Sequence, residues 1–430
     1  MCLRRTQPVI CYGGILPNRL LLFWKGGPLL SWFSDSLKAF LRKGDLVLLG
    51  LCLATNAFGL VLVFSATRYL DSNRSIIIQS VCMLLGILVY IAMSSVDVEL
   101  FTEKSWKFLL VFNLLFNLSV RVPGLGVDNN SGNLSWIHIP GFPMDIQPAE
   151  IVKLTFIFLL AYQCAKLQEP DISRPSSVFS IAGHTILMVG IIAVASGDFG
   201  MALIYFFIFV VVAWSAGVKK RWFVLALILA VLAIGGVVAL LILKPELQEI
   251  YFIRRVKVVI DHLTGNQETL FEQTQGVGMQ QTRSILAIGS GGLTGLGFLQ
   301  GIQTQSSSNW ALNARSTDEI FAVCGEEFGL IGCLILLALL AGIILRCIWV
   351  ARRACSIQSG LLVMGVAGML LAQVCINVAM CLYIFPVVGI TLPFVSYGGS
   401  SLITMYAAVG VVSSVKMRSL PSWLRDRSNL

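Results

Sequence analysis

An all-α integral membrane protein of about ten transmembrane helices, with a large extracytoplasmic loop between the seventh and eighth, is the fold class this sequence predicts. Three observations carry that expectation. Of the 430 residues, 57% are hydrophobic and 12% charged, against about 25% charged in a soluble domain. Charge-free apolar stretches recur along the chain at the length of about 20 residues that crossing a bilayer requires. The 31 Lys and Arg are also unevenly spread. With the spans numbered in order, 21 of them lie in the tails and the even-numbered loops, which puts both termini on the cytoplasmic side. A net charge of +9 would suggest nucleic acid in a soluble protein. Here cations retained on one side of a bilayer account for it, and no nucleic-acid partner is expected.

Residues 1–44 carry seven basic residues and apolar patches such as LLLFW that are too short to span. A basic, interfacial cytoplasmic segment is expected there. Leu46–Thr67, between Asp45 and Arg68, is the first span, and Ser75–Val96, between Arg74 and Asp97, the second. The third, around Trp106–Val120 with Lys107 at its cytoplasmic edge, is interrupted by Asn113 and Asn117. The fourth, Ala149–Ala165, encloses Glu150 and Lys153. Pro175–Gly197 and Phe199–Val218 are the fifth and sixth, with Asp198 at the turn between them, and Trp222–Leu243 is the seventh. An outer loop over about 245–318 follows, then an eighth span with its core at Phe328–Leu345. Cys355–Val415 is free of charge over 61 residues, too long for one helix. Pro386, Gly389 and Pro393 break it into a ninth and a tenth. Residues 45–416 thus form one polytopic membrane domain, and 417–430 a cytoplasmic tail. Cysteines such as Cys52, Cys82, Cys164, Cys333, Cys375 and Cys381 fall inside apolar runs without metal-site spacing and read as small apolar fillers.

The chemistry is expected in and around Gln275–Gly329, the stretch richest in glycine and paired acids, because irregular backbone in a membrane protein persists only where water or protein satisfies it. Glu150 and Lys153, three apart, share a helix face. Each costs about 2.5–3.5 kcal/mol at the centre of a span, so they either pair with each other between helices or bind an anionic headgroup. Asp198, flanked by glycines, either ends a helix or faces a ligand. Arg254, Arg255 and Lys257 form a basic cluster that is either a solvated face or an attractor of phosphates. GSGGLTGLG resembles a phosphate cradle but has Thr294 where the dinucleotide pattern needs glycine, and no strand–helix alternation surrounds it. His138, His184 and His262 lack metal-ligand spacing, and His184 reads as a packed helix residue. Glu326 and Glu327 read as capping or solvating a helix end. Asp318 is either an N-cap or a general base.

Five motifs in order, QPAEIVKL, SGDFG, QTRSILAIGSGGLTGLGF, STDEIFAVCGEEFG and PVVGITLPFVSYGGSS, resemble the SEDS family of shape, elongation, division and sporulation proteins (the RodA, FtsW and SpoVE group). The resemblance covers about residues 45–416. It implies a peptidoglycan glycosyltransferase of the bacterial cytoplasmic membrane that polymerises lipid II at the outer face, beside a class B penicillin-binding protein. By the resemblance, Asp318 stands at the family's essential acid in its T-D-F-I-F motif. Glu150 and Lys153 match a polar pair thought to lie in the cavity receiving lipid II, which Gln280, Ser284, Ser396 and Ser400 line or support. Trp136, Asp198 and Arg255 complete the substrate-binding set. Three positions depart from the pattern. Ser135 replaces the arginine before Trp136, Gly197 a proline, and Glu319 the aromatic residue that follows the essential acid.

The mechanism these residues suggest has Asp318 accept the proton of the acceptor sugar's 4-hydroxyl while undecaprenyl pyrophosphate leaves. Arg254, Arg255, Lys153 or a divalent cation (Mg or Mn) would meet the leaving charge, with no cofactor assigned and the metal ligands unknown. Two rivals are a lipid II flippase and a non-catalytic scaffold for the penicillin-binding protein.

Overall fold

A bilayer core offers backbone N–H and C=O groups no water, so apolar runs pair internally as α-helices. The structure, a computed structural model, describes residues 37 and 40–419 other than 71, 128–133, 142–143, 170, 244–250, 266–269 and 309–310. The basic segment expected over 1–44 and the tail over 417–430 lie almost wholly outside those residues. The helices are α1 (Leu46–Thr67), α2 (Arg74–Ser95), α3 (Val98–Leu118), α4 (Pro148–Lys166), α5 (Pro175–Ile191), α6 (Phe199–Ser215), α7 (Lys220–Leu243), α8 (Tyr251–Thr264), α9 (Leu270–Thr274), α10 (Met279–Gly291), α11 (Ile302–Gln305), α12 (Ile320–Ala351), α13 (Ile357–Cys381) and α14 (Gly399–Arg418). A two-residue hairpin pairs β1 (Gly126–Val127) antiparallel with β2 (Trp136–Ile137).

Among the described residues seven helices are long and apolar enough to cross a membrane: α1, α2, α4, α5, α12, α13 and α14. At the positions of the other three expected spans stand α3, α6 and α7. The apolar α6 has only 17 residues, and α3 bears Glu99, Glu103, Lys104 and Lys107 in its first half. The central helices are α13 and α4, with 78% and 72% of their most apolar windows buried, whereas α2 has 28% and shows its apolar side chains outward. Asn113 and Asn117 do not interrupt α3. Both are buried, and the Asn113 Oδ1 accepts from Thr155 Oγ1 at 2.5 Å, tying α3 to α4.

One end of the bundle is closed by a buried carboxylate. Asp45 caps α1 by accepting from Leu48 N at 3.2 Å. The same carboxylate meets Arg346 of α12 at 2.9 Å and Lys416 of α14 at 3.5 Å. The Asp45 carbonyl accepts from Tyr90 of α2 at 2.9 Å. Four helices therefore converge on one residue.

The stretch expected as an outer loop is largely helical, comprising α8 to α11. Val258 and Val259 of α8 pack with Tyr383, and the His262 ring stacks on Tyr383 with centroids 3.9 Å apart. The glycine-rich run serves packing. Gly329, at φ +64°, interrupts α12, and residues 292–297 fill the gap. Leu330 N and Ile331 N donate to the carbonyls of Gly292 and Leu293 at 2.9 and 3.1 Å, and Leu296 N and Gly297 N to those of Glu326 and Glu327 at 2.9 and 3.1 Å. A Cβ at Gly295 would sit 2.1 Å from the Glu327 carbonyl oxygen, so this approach needs glycine. Glu326 and Glu327 do not solvate the start of α12; Glu326 instead takes the free N–H groups at the start of α11, and Glu327 caps no helix. Both are buried. Glu326 accepts from Gln303 N, Thr304 N and Thr304 Oγ1, and Glu327 from Ser65 Oγ and Gln305 Nε2.

Candidate active site

Between α13 and α14 the chain runs without helix through Leu382–Gly398, yet most of this segment is buried. Non-helical backbone at that depth must find partners in surrounding protein, and here they come from remote side chains. Gln281 Nε2 of α10 donates to the Phe385 carbonyl at 2.8 Å, and Arg255 of α8 donates to that of Val387. Asn377 Nδ2 of α13 donates to Ile390 at 2.7 Å, and Asn56 Nδ2 of α1 to Phe394 at 2.7 Å. Gln79 of α2 reads both sides of the chain: its amide donates to the Ser396 carbonyl at 3.0 Å and accepts from Gly398 N at 3.2 Å. Gln79→Leu would orphan both groups, at about 1–3 kcal/mol each. The expected outcome is a thermal midpoint in detergent lowered by the equivalent of about 2–4 kcal/mol, with lost activity although Gln79 touches no reacting group. An unchanged midpoint would contradict this account.

The segment carries Asp318 into place. Ser396 Oγ donates to the Thr317 carbonyl at 2.5 Å, Tyr397 N to that of Ser316 at 2.7 Å, and Asn377 Nδ2 to that of Asp318 at 2.7 Å. Arg315 anchors the approach by donating to the Thr304 and Ser306 carbonyls and stacking on Tyr69 at 3.7 Å. Asp318 does not cap α12: the cap position is Glu319, and no side chain caps there. The Asp318 carboxylate is half-buried, with Oδ2 3.9 Å from where a Cβ at Gly389 would lie. Gly389, at φ +71°, keeps that approach open.

Charge at the site is dominated by acids. Burial pushes the Asp318 carboxyl up to about 6, with Arg255 opposing. Asp198 caps α6 by accepting from Met201 N at 2.8 Å and also accepts from Gln147 Nε2 at 2.8 Å. Burial pushes it up to about 6 as well, the Met201 N–H opposing and the charges of Glu150 and Asp318 adding. Burial pushes Glu319 up to about 7. Because all three sit above their ordinary values, the folded state holds protons that the unfolded state has already released. Stability is therefore full below about pH 4 and is lost as pH rises towards about 7. The thermal midpoint in detergent is expected to fall across that window and then level off; a rise would contradict these environments.

The structure brings Asp318 within electrostatic reach of Arg255 and Asp198, and Asp198 within reach of Glu150, places Gln280 and Ser284 beside Glu319, and joins Ser396 to the Asp318 turn. Lys153 is fully buried and bonded to Glu150, so in this conformation its charge serves that pair. Trp136 lies in β2, half-buried; its neighbour Ser135 donates to the Ser196 carbonyl at 3.3 Å, beside Asp198. Ser400 is buried in the first turn of α14, its carbonyl taken by Thr404. Arg254 pairs with Glu272 at 3.1 Å. His184 is a packed helix residue, meeting Gln163 Oε1 at 3.2 Å. Sequence reasoning passed over Asn56, Gln79, Gln281, Asn377 and Arg315. Lone amides inside apolar helices are costly enough to signal a partner, but nothing local says which one. Among the described residues no three His, Cys, Asp or Glu side chains gather as a metal site.

A family model described as "Cell cycle protein", for the FtsW, RodA and SpoVE group, matches residues 45–420. The chain belongs to this family. Among its relatives, Stage V sporulation protein E of Bacillus subtilis is 31% identical over 380 residues, covering 87% of this chain and 97% of the relative. The probable peptidoglycan glycosyltransferase FtsW of the same organism is 31% identical, covering 89% and 92%. The peptidoglycan glycosyltransferase MrdB of Escherichia coli is 35% identical, covering 63% and 67%. The fold is shared with solved family members. A chain from a peptidoglycan synthase complex that coordinates polymerization and crosslinking aligns with TM-score 0.70 at 28% identity, over 89% of this chain and 98% of that one. The rod shape determining protein RodA of Thermus thermophilus aligns with TM-score 0.62 at 25% identity, over 88% and 98%.

Proposed function

We propose that this SEDS-family protein is a peptidoglycan glycosyltransferase that polymerises lipid II at the outer face of the bacterial cytoplasmic membrane, with Asp318 as its general base. The activity rests on the family and on relatives named for it. The observation that carries the role of Asp318 is its setting, a half-buried carboxylate raised towards neutrality, beside Arg255 and across from Gly389. A base works best when its pKa lies near the working pH, and burial brings this one closer.

In the reaction, the 4-hydroxyl of the acceptor sugar attacks the anomeric carbon of the donor. Asp318 takes the hydroxyl proton as the new glycosidic bond forms. The bond from the anomeric carbon to the pyrophosphate oxygen breaks, with inversion, and undecaprenyl pyrophosphate leaves. Arg255 supplies positive charge for the departing group. Its charge reaches the Asp318 carboxylate, which places it beside the reacting centre, whereas Lys153 is fully buried against Glu150. Glu150, Lys153 and Asp198 form the polar floor beneath the donor, and Gln280, Ser284, Ser396, Ser400 and Trp136 complete the pocket walls.

Both termini lie in the cytoplasm and α8 to α11 outside. Arg346, Arg352, Arg353, Lys416 and Arg418 end the helices of one side, where the positive-inside rule puts them. A class B penicillin-binding protein is the partner that cross-links the product; the likeness to a chain of a peptidoglycan synthase complex supports it. Purified protein given labelled lipid II is expected to form glycan strands, with or without that partner. Transfer of lipid II between leaflets without any polymer would instead mark a flippase, and neither activity a scaffold.

A further inference from the structure

Glu319 follows Asp318 in the chain and has no part in the reaction above. It is fully buried, at 0% exposure, and neither carboxylate oxygen has a hydrogen-bond partner. Its surroundings are Ser284 and Gln280 of α10 and Cys381 of α13, whose polar groups favour its ionised form, and Asp318 on its own turn, whose charge opposes it; burial outweighs both. The Ser284 hydroxyl is already given to the Cys381 carbonyl at 3.0 Å, and Gln280 Nε2 is itself buried without a partner. Arg255 reaches Asp318 from α8, and Asp198, at the start of α6, feels Asp318 and Glu150. Of the two adjacent carboxyls, Asp318 has Arg255 to steady its charge, and Glu319 has the charge of Asp318 set against it.

An ionised carboxylate stranded in such a place costs several kcal/mol, and the group takes a proton instead. Two neighbouring acids in unequal surroundings lose their protons in separate steps. The step of lower affinity falls to Asp318, which has Arg255 beside it. Glu319 keeps its proton to about 7.

We infer that Glu319 is a positioning residue that gates the site by charge: neutral, it admits the pyrophosphate-bearing donor to Asp318, and once ionised it repels that donor. This rests on the reading of the donor and of Asp318 given above. Glu319 touches no reacting atom. Its effect is a second, uncompensated negative charge placed beside the base, directed at the most anionic part of the substrate. At a separation of about 10 Å and an effective dielectric near 20, each unit of substrate charge feels on the order of tenfold in affinity.

The test is the pH dependence of KM and kcat for labelled lipid II, for wild type and Glu319→Gln, from about pH 5.5 to about pH 9. Wild-type KM is expected to rise on the order of tenfold as pH passes about 7, with kcat almost flat there, while Glu319→Gln keeps a low KM throughout. A purely structural role would shift both variants' rates without moving the pH at which KM rises. The inference is overturned if the two KM profiles superimpose or if wild-type KM stays flat. Infrared titration of the wild type gives an independent reading: a neutral carboxylic carbonyl band lost near pH 7 and missing from Glu319→Gln. Absence of that band from wild type overturns the inference even where no polymer forms, and Glu319→Phe serves if the glutamine variant does not fold. Normal polymer from Asp318→Asn, with the KM shift intact, would remove the base and leave the gate. An inert Asp318→Asn with superimposed KM profiles would do the reverse.

Discussion

Asp318→Asn protein is expected to polymerise labelled lipid II about 10²–10⁴-fold more slowly than wild type while remaining folded. The substitution keeps the side chain's size and removes only its capacity to take a proton. The bonds that place residue 318 are made by main chain, from Asn377 to its carbonyl and from Ser396 and Tyr397 to the two residues before it, and an amide leaves them untouched. Taking a charge out of a half-buried place relieves desolvation, so the thermal midpoint should hold or rise. Lipid II binding should persist, because Arg255 and the polar floor are unchanged; the loss belongs in kcat. The wild-type rate itself should fall off on the acid side near pH 6, where Asp318 gains its proton. Near-wild-type polymer from pure Asp318→Asn would end the case for this residue as base.

Lys153→Ala should be the most damaging single change to the fold. It strands the Glu150 carboxylate, 3% exposed, on one of the two central helices. Breaking a buried pair from one side costs about 3–5 kcal/mol, read as a lowered thermal midpoint in detergent. The stranded charge also adds to that of Asp198 and should weaken lipid II binding. A double variant, Glu150→Gln with Lys153→Met, removes both charges together and is expected to restore stability and binding alike. If it restored stability but not binding, Lys153 would have to reach the headgroup itself rather than act through Glu150.

Much of the fold was legible because a bilayer rewards local composition. The charge-free run Leu46–Thr67 is α1 to the residue, and Pro386, Gly389 and Pro393 do mark the break between α13 and α14. The resemblance put Asp318 at the centre of attention, and the structure supplies reasons of burial and charge for it. What stayed hidden depends on partners far along the chain. The glycine run at 289–297 fails the dinucleotide pattern at Thr294, but what it does instead, packing into the kink at Gly329, is invisible without the fold. Glu326 and Glu327 looked like helix-end acids because their acceptor duty towards α11 and Ser65 is tertiary. Asn56 and Gln79 drew no reading from the sequence, because nothing local to a lone amide in an apolar span names its partner; each carries a buried carbonyl of the segment that holds Asp318.

Those two amides have a consequence for how the protein is made. Asn56 meets Phe394 across 338 residues of chain, and Gln79 meets Ser396 across 317. The first two helices leave the ribosome with their polar groups unanswered, and the answer arrives only with the last two. Until the segment behind α13 has been made, both amides lack partners, and the turn that carries Asp318 lacks Ser396 and Tyr397 to hold it. A nascent or truncated chain would therefore be catalytically silent by construction, and the final insertion step would double as the switch that turns the site on.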